Sequence, residues 1–138
     1  MRMMKTTLSI LFLALLATTV SAGKKESPFG CDLLALAPAE RTRHFDELGP
    51  ALRAVRTGVR ELPNGYELSF PSDAKTFAML TEWIEQERRC CPFFDIELRV
   101  EREGGALRMR LSGRPGTKEF IRADAGPWLA QPPQRSQR

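Results

Sequence analysis

The residues able to do chemistry gather in Glu87-Arg88-Arg89-Cys90-Cys91-Pro92-Phe93. Two adjacent thiols stand before a proline, with a carboxylate three and four residues ahead of them. The third cysteine, Cys31, and the single histidine, His44, lie upstream. Residues three and four apart share a helical face, so Glu87 shares one with both cysteines. Thiolates joined by an imidazole or carboxylate suit zinc, copper(I) and similar soft ions. Cys31, Cys90, Cys91, His44 and Glu87 are therefore the candidate ligands of a soft metal or metalloid ion. The spacing is a poor zinc match. There is no Cys-x-x-Cys, and adjacent helical residues project about 100° apart. A turn forced by Pro92 would let both thiols converge, and three thiols suit a trigonal site for an ion such as arsenite or mercury.

The same residues carry other readings. In an exported domain an odd cysteine count pairs two thiols and leaves one over. Cys31 with Cys90 or with Cys91 would staple the N-terminal segment to the main helix; a vicinal Cys90–Cys91 bond strains its small ring. Buried, unreactive thiols filling the core are a further alternative. A thiol-redox protein needs an exposed nucleophile of low pKa. Here the helix C-terminus raises the thiol pKa and Arg88 and Arg89 lower it. The Cys-x-x-Cys motif and the βαβ context of the thioredoxin type are missing. So are Gly-x-Ser-x-Gly, His-Glu-x-x-His and a glycine-rich phosphate loop. No catalytic residue is assigned. His44, beside an apolar face, also reads as a hydrogen-bonded boundary residue.

The elements that must position these groups follow from periodicity. Pro38 suits the first turn of a helix, with Glu40 near its positive end. Phe45, Leu48, Leu52 and Val55 continue at helical spacing, and Gly49-Pro50 predicts a kink or two short helices. Val55, Thr57 and Val59 alternate as a strand. Pro63-Asn64-Gly65 turns the chain with Asn-Gly at its heart, and Tyr66, Leu68 and Phe70 alternate in return. Ser72 is the expected N-cap of a helix from about Asp73 to Cys90, with Phe77, Leu80 and Ile84 as its apolar stripe and Met79 and Trp83 widening it. Pro92 stops that helix. Phe94, Ile96, Leu98 and Val100, the turn Glu103-Gly104-Gly105, then Leu107, Met109 and Leu111 form a second hairpin. Its outer face carries opposite charges suited to cross-strand pairing. Trp83 and Phe93-Phe94 read as core, and Arg99, Arg108 and Arg110 as a solvated sheet face. A short helix over Gly116 to Arg122 buries Phe120 and Ile121. The order α-ββ-α-ββ-α predicts a two-layer α+β domain, an antiparallel sheet from two β-hairpins packed against helices.

Several of these segments together resemble a known family. They are Cys31-Asp32-Leu33, Pro38 through His44, Pro63-Asn64-Gly65-Tyr66, Phe70-Pro71, Glu87 through Phe93, and Leu111-Ser112-Gly113-Arg114-Pro115-Gly116-Thr117-Lys118-Glu119-Phe120. The chain is similar over 31–121 to a family of small bacterial proteins with a Glu-Arg-x-Cys-Cys-Pro-Phe motif. That family has no established activity, so the resemblance points to residues and supplies no function. Its members often lack an export leader, and this chain departs from them there.

The leader occupies residues 1–22. Arg2 and Lys5 precede an apolar run from Thr6 to Val20, and Val20-Ser21-Ala22 offers small residues before Gly23. The run is shorter than the roughly 20 residues of a membrane-spanning helix. A cleavable signal peptide is expected; an uncleaved anchor is the alternative, because Lys24 and Lys25 oppose translocation. No cysteine stands at the cleavage region, which excludes a lipoprotein signal. The expected product is periplasmic or secreted, without a stable membrane anchor. Residues 23–30 read as a flexible lead-in, 31–123 as one domain, and 124–138, rich in proline and glutamine, as a disordered tail. Cleavage takes Arg2 and Lys5 away and lowers the formal charge from +4 to +2. That is too mild for a nucleic-acid binder. The expected partner is a metal ion. A structural or protein-interaction domain, with the sheet serving a homodimer or another partner, is the alternative.

Overall fold

The computed structural model describes Gly23 and residues 25–130. The leader (1–22) lies outside the described residues. A 3-10 turn at Leu33–Ala35 precedes α1 (Pro38–Thr42), a π-helical stretch (Arg43–Leu48) and α2 (Gly49–Val55). The hairpin β1 (Gly58–Leu62) and β2 (Gly65–Phe70) leads into the central helix α3 (Ala74–Cys90). A second hairpin, β3 (Asp95–Val100) and β4 (Leu107–Ser112), is followed by α4 (Thr117–Asp124) and α5 (Gly126–Leu129). The sheet order is β1-β2-β4-β3 with every pair antiparallel. The two hairpins join through β2 and β4, and the helices cover one face. This is the expected two-layer α+β architecture.

On the two central strands the alternating residues do as their period requires, whereas on the edge strand β3 Ile96 and Leu98 are half-buried and Val100 is exposed. Tyr66, Leu68 and Phe70 on β2 and Leu107, Met109 and Leu111 on β4 are buried, and they sit opposite one another in register. The outer face is polar. At its centre Glu67 is only 2 % exposed. Arg110 Nε donates to its Oε2 at 2.7 Å, while Arg60 and Arg108 approach Oε1 at 3.0 and 3.4 Å. Burial pushes the Glu67 carboxyl up, but the hydrogen bonds and charges of Arg110 and Arg60 outweigh it and hold it below the usual carboxylate range. Cross-strand pairing on this face is partly as expected: Arg108 bonds Glu101 at 2.6 Å, yet Arg99 stands opposite Arg108, like facing like.

Local details depart from expectation for identifiable reasons. Gly49-Pro50 causes no break. The chain passes through π register, with Gly49 N–H donating to His44 O, and Pro50 sits in the first turn of α2, where no N–H is needed. Val55 belongs to α2, and the first strand begins only at Gly58. In the first hairpin Pro63 and Asn64 form the turn, while Gly65 already pairs with Leu62. Gly65 is needed for another reason: a Cβ there would lie 2.0 Å from Leu111 O on the neighbouring strand. The N-cap of α3 is Asp73 in place of Ser72, its Oδ1 accepting from Thr76 N at 2.9 Å. Phe77 is 42 % exposed and lies off the buried stripe, which runs through Thr76, Leu80, Trp83, Glu87 and Cys90. Those residues recur at intervals of four and three, so the core-facing seam of the helix ends in a carboxylate and a thiol.

Both expected loose ends are partly ordered. Over 27–30 the lead-in is docked. Arg114 donates to Ser27 O and lies over the Phe29 ring, which meets Phe93 edge-on at 5.3 Å. Gly116, at φ +99, gives Phe29 its seat, since a Cβ there would meet the ring at 2.7 Å. The presumed tail is helical through Leu129. Pro127 sits in the first turn of α5, Trp128 packs on Trp83 at 5.1 Å, and Arg56 donates to the carbonyls of Pro127 and Ala130. An aromatic residue with a core partner overrides the proline-rich composition around it. Residues 131–138 lie outside the described residues.

Candidate functional site

Helix α3 delivers the site. Its last turn carries Gln86, Glu87 and Cys90, all buried, because the seam facing the sheet continues to its end. Cys91 caps the helix with its N–H on Glu87 O, and its own backbone has left helical geometry ahead of Pro92. That change of direction brings Cys91 Sγ within 3.7 Å of Cys90 Sγ. Adjacent thiols that a regular helix would splay are thus made to converge.

Cys31 arrives from the lead-in and is bonded to Cys91, with the Cα atoms 4.6 Å apart. Of the two pairings left open by the sequence, the structure adopts Cys31–Cys91. The bond does not act alone. Asp32 N–H donates to Cys90 O at 2.6 Å, taking up one of the orphan carbonyls at the end of α3. Arg41 donates to Leu33 O and Leu36 O, which fixes the turn after Cys31. Leu36 then packs in one buried cluster with Cys90, Cys91 and Phe93.

Cys90 is the free cysteine among the described residues and is fully buried. Its S–H points to Glu87 Oε2 at 3.6 Å. Burial pushes the Cys90 thiol up to about 12, and the neighbouring Glu87 carboxylate adds to the rise. Glu87 Oε2 also receives His44 Nε2 at 2.7 Å. On its other side His44 Nδ1 meets the Gln86 amide at 3.1 Å. The imidazole stacks on Trp83 at 5.3 Å and 14°. Both ring nitrogens are therefore engaged, and the histidine orients the carboxylate.

One donor atom from each of Cys31, Glu87, Cys90 and Cys91 lies within 4.8 Å of the others. The structure thus brings four of the five predicted residues into one small volume. His44 stands one step behind, bonded to Glu87. Sequence reasoning missed Gln86, which fixes the histidine, and Trp128, which packs on Trp83 outside the cluster. Gln86 sits one residue before Glu87 on the same helix, but nothing local marks it as buried.

A cavity of about 230 Å³ opens beside this cluster. Cys31, His44 and Glu87 form part of its wall, and Phe45, Trp83, Phe94, Phe120 and Trp128 give it an aromatic lining. Cys90 and Cys91 stay behind that wall. Among the described residues no helix is long and apolar enough to cross a membrane.

Fold and site together define a two-layer α+β domain with a three-cysteine, one-carboxylate cluster at the end of its central helix. No family model, curated protein or solved structure matches the chain.

Proposed function

We propose that this domain is a non-enzymatic binder of a soft metal or metalloid ion, competent when the Cys31–Cys91 disulfide is reduced. The observation that carries the reading is the surplus of donors around the bond. A structural staple needs two cysteines. Here a third thiol and a buried carboxylate stand within 4.8 Å of it. The contacts that hold Cys31 in place besides the disulfide (the Asp32–Cys90 hydrogen bond and the docked Phe29) support a site that stays assembled after reduction. Thiolate donors favour soft ions, and one carboxylate oriented by a histidine resembles the supporting groups that position metal ligands. The leader read in residues 1–22 supports an oxidising compartment, in which the disulfide is the resting form.

The test uses the full mature chain, reduced with a phosphine under nitrogen. Arsenite, cadmium and zinc are each titrated while sulfur-to-metal absorbance and native mass are followed. One ion per chain, with a rise in Tm, is expected, because a ligand of the native state stabilises it. Cys90→Ala, which leaves the disulfide pair intact, is expected to weaken binding at least tenfold. A folded, reduced chain that takes up none of the three ions overturns the proposal.

A second reading is favoured by the disulfide itself: a structural or protein-interaction domain stapled by Cys31–Cys91. It expects reduction to lower stability without creating any ion affinity. The thiol-redox reading draws little support from a buried Cys90 whose pKa is raised.

A further inference from the structure

The cavity beside the cysteines is built for something other than a bare ion. Five aromatic side chains line it, and Cys31, Glu87, Arg53 and Asp124 add its sulfur and charged groups. An inorganic ion held by thiolates does not fill a chamber of this volume. A small aromatic ring does: an apolar cavity of about 150 Å³ suffices to hold benzene, and this one measures about 230 Å³. Trp83 and Trp128 touch at 5.1 Å and 51°, and both contribute to the lining. His44 covers part of Trp83 by stacking on it, and Phe45 stands edge-on to His44 at 4.7 Å.

We infer that the site takes a thiophilic centre bearing one small aromatic substituent, a monoaryl trivalent arsenical being the clearest representative. This rests on the soft-ion reading above and names the ligand class for the same site. The ring occupies the aromatic cavity, and the arsenic reaches the wall where Cys31 is exposed. A monoaryl arsenical has two exchangeable positions, and Cys31 with Cys91 supplies two thiols already adjacent. An external dithiol first reduces the disulfide. It gives two electrons and two protons to the pair and becomes a disulfide itself. The aryl arsenous acid then exchanges both As–OH groups for As–S bonds. Each thiol proton leaves with a hydroxide as water, and arsenic keeps its oxidation state. Cys90 is not required for this ligand, whereas an inorganic ion draws on all three sulfurs.

The experiment measures phenylarsenous acid, methylarsenous acid and arsenite on the reduced mature chain, each in competition with a small-molecule dithiol. That competitor shows the ordinary phenyl-to-methyl preference of a dithiol without a cavity. The domain is expected to exceed this preference at least tenfold. Trp128→Ala and, independently, Phe45→Ala are expected to erase the excess while leaving arsenite binding within twofold. Phe45 is already 41 % exposed, so its variant keeps the test valid if the tryptophan variant folds poorly. Cys90→Ala is expected to spare phenylarsenous acid and weaken arsenite. Arsenite binding with no more phenyl preference than the competitor, or an excess that survives both cavity variants, overturns this inference and leaves the soft-ion reading standing. No binding of any of the three arsenic compounds removes this inference, and the soft-ion reading falls with it only if cadmium and zinc fail to bind as well.

Discussion

The backbone N–H of Asp32 donates to the carbonyl of Cys90 at 2.6 Å, so the residue after one cysteine is tied to another cysteine by the main chain. The chain entering the domain thereby finishes the C-terminus of α3, and Cys31 is held beside Cys90 and Cys91 by more than its own disulfide. The oxidised and reduced forms are expected to share this arrangement.

Reduction should cost stability without unfolding the segment. The bond spans 60 residues of sequence, and the chain-entropy account assigns such a loop about 4 kcal/mol. Thermal unfolding with and without reductant should show a correspondingly lower Tm. Hydrogen exchange of the Asp32 amide should remain slow after reduction. Exchange at the rate of an unstructured amide would show that the lead-in leaves the site.

Cys90 should resist alkylation in the oxidised native protein. It has no exposed surface, and its thiol is pushed up to about 12, so the thiolate is scarce at neutral pH. Mass spectrometry after iodoacetamide at pH 7.5 is expected to find almost no adduct without denaturant and one adduct per chain with it. A native rate near that of free cysteine would contradict the buried placement.

Glu87 should matter to stability as well as to binding. Its Oε2 receives both His44 Nε2 and the Cys90 thiol in a buried setting. Glu87→Ala leaves those donors unmatched and is expected to cost about 2–4 kcal/mol in urea unfolding, whereas Glu87→Gln, which keeps an acceptor, should cost about 1 kcal/mol. Equal stability of the alanine variant and the parent would mean that the pair contributes nothing.

The sheet face should show an acid limb that depends on Glu67. Its carboxyl is lowered in the folded state by Arg110 and Arg60 against the opposing effect of burial. A depressed folded pKa means stability that is present above the unfolded value, about 4.3, and is lost as pH falls through the folded one. Glu67→Gln should flatten the decline of stability below pH 4.5. Glu67→Ala should cost about 1–3 kcal/mol at pH 7, since three arginines lose their acceptor. An unchanged acid limb in the glutamine variant would assign the decline to other carboxylates.

The two-hairpin sheet was legible because alternation has a period of two and needs only neighbouring residues to declare itself. The end of α3 was legible from Pro92, and the importance of Cys90, Cys91 and Glu87 from three positions within five residues. The sequence by itself therefore determined the two hairpins, the central helix, their order and the residue types gathered at its end. Contacts between distant segments carry no such local signal. His44 meets Glu87 across 43 residues, and Trp128, from a stretch that reads as tail, closes a cavity against Trp83. Which thiol Cys31 takes, whether Gly49-Pro50 breaks or merely shifts a helix, and that an aromatic chamber adjoins the sulfurs were decided by packing in three dimensions. The order of burial around each group depends on every element at once.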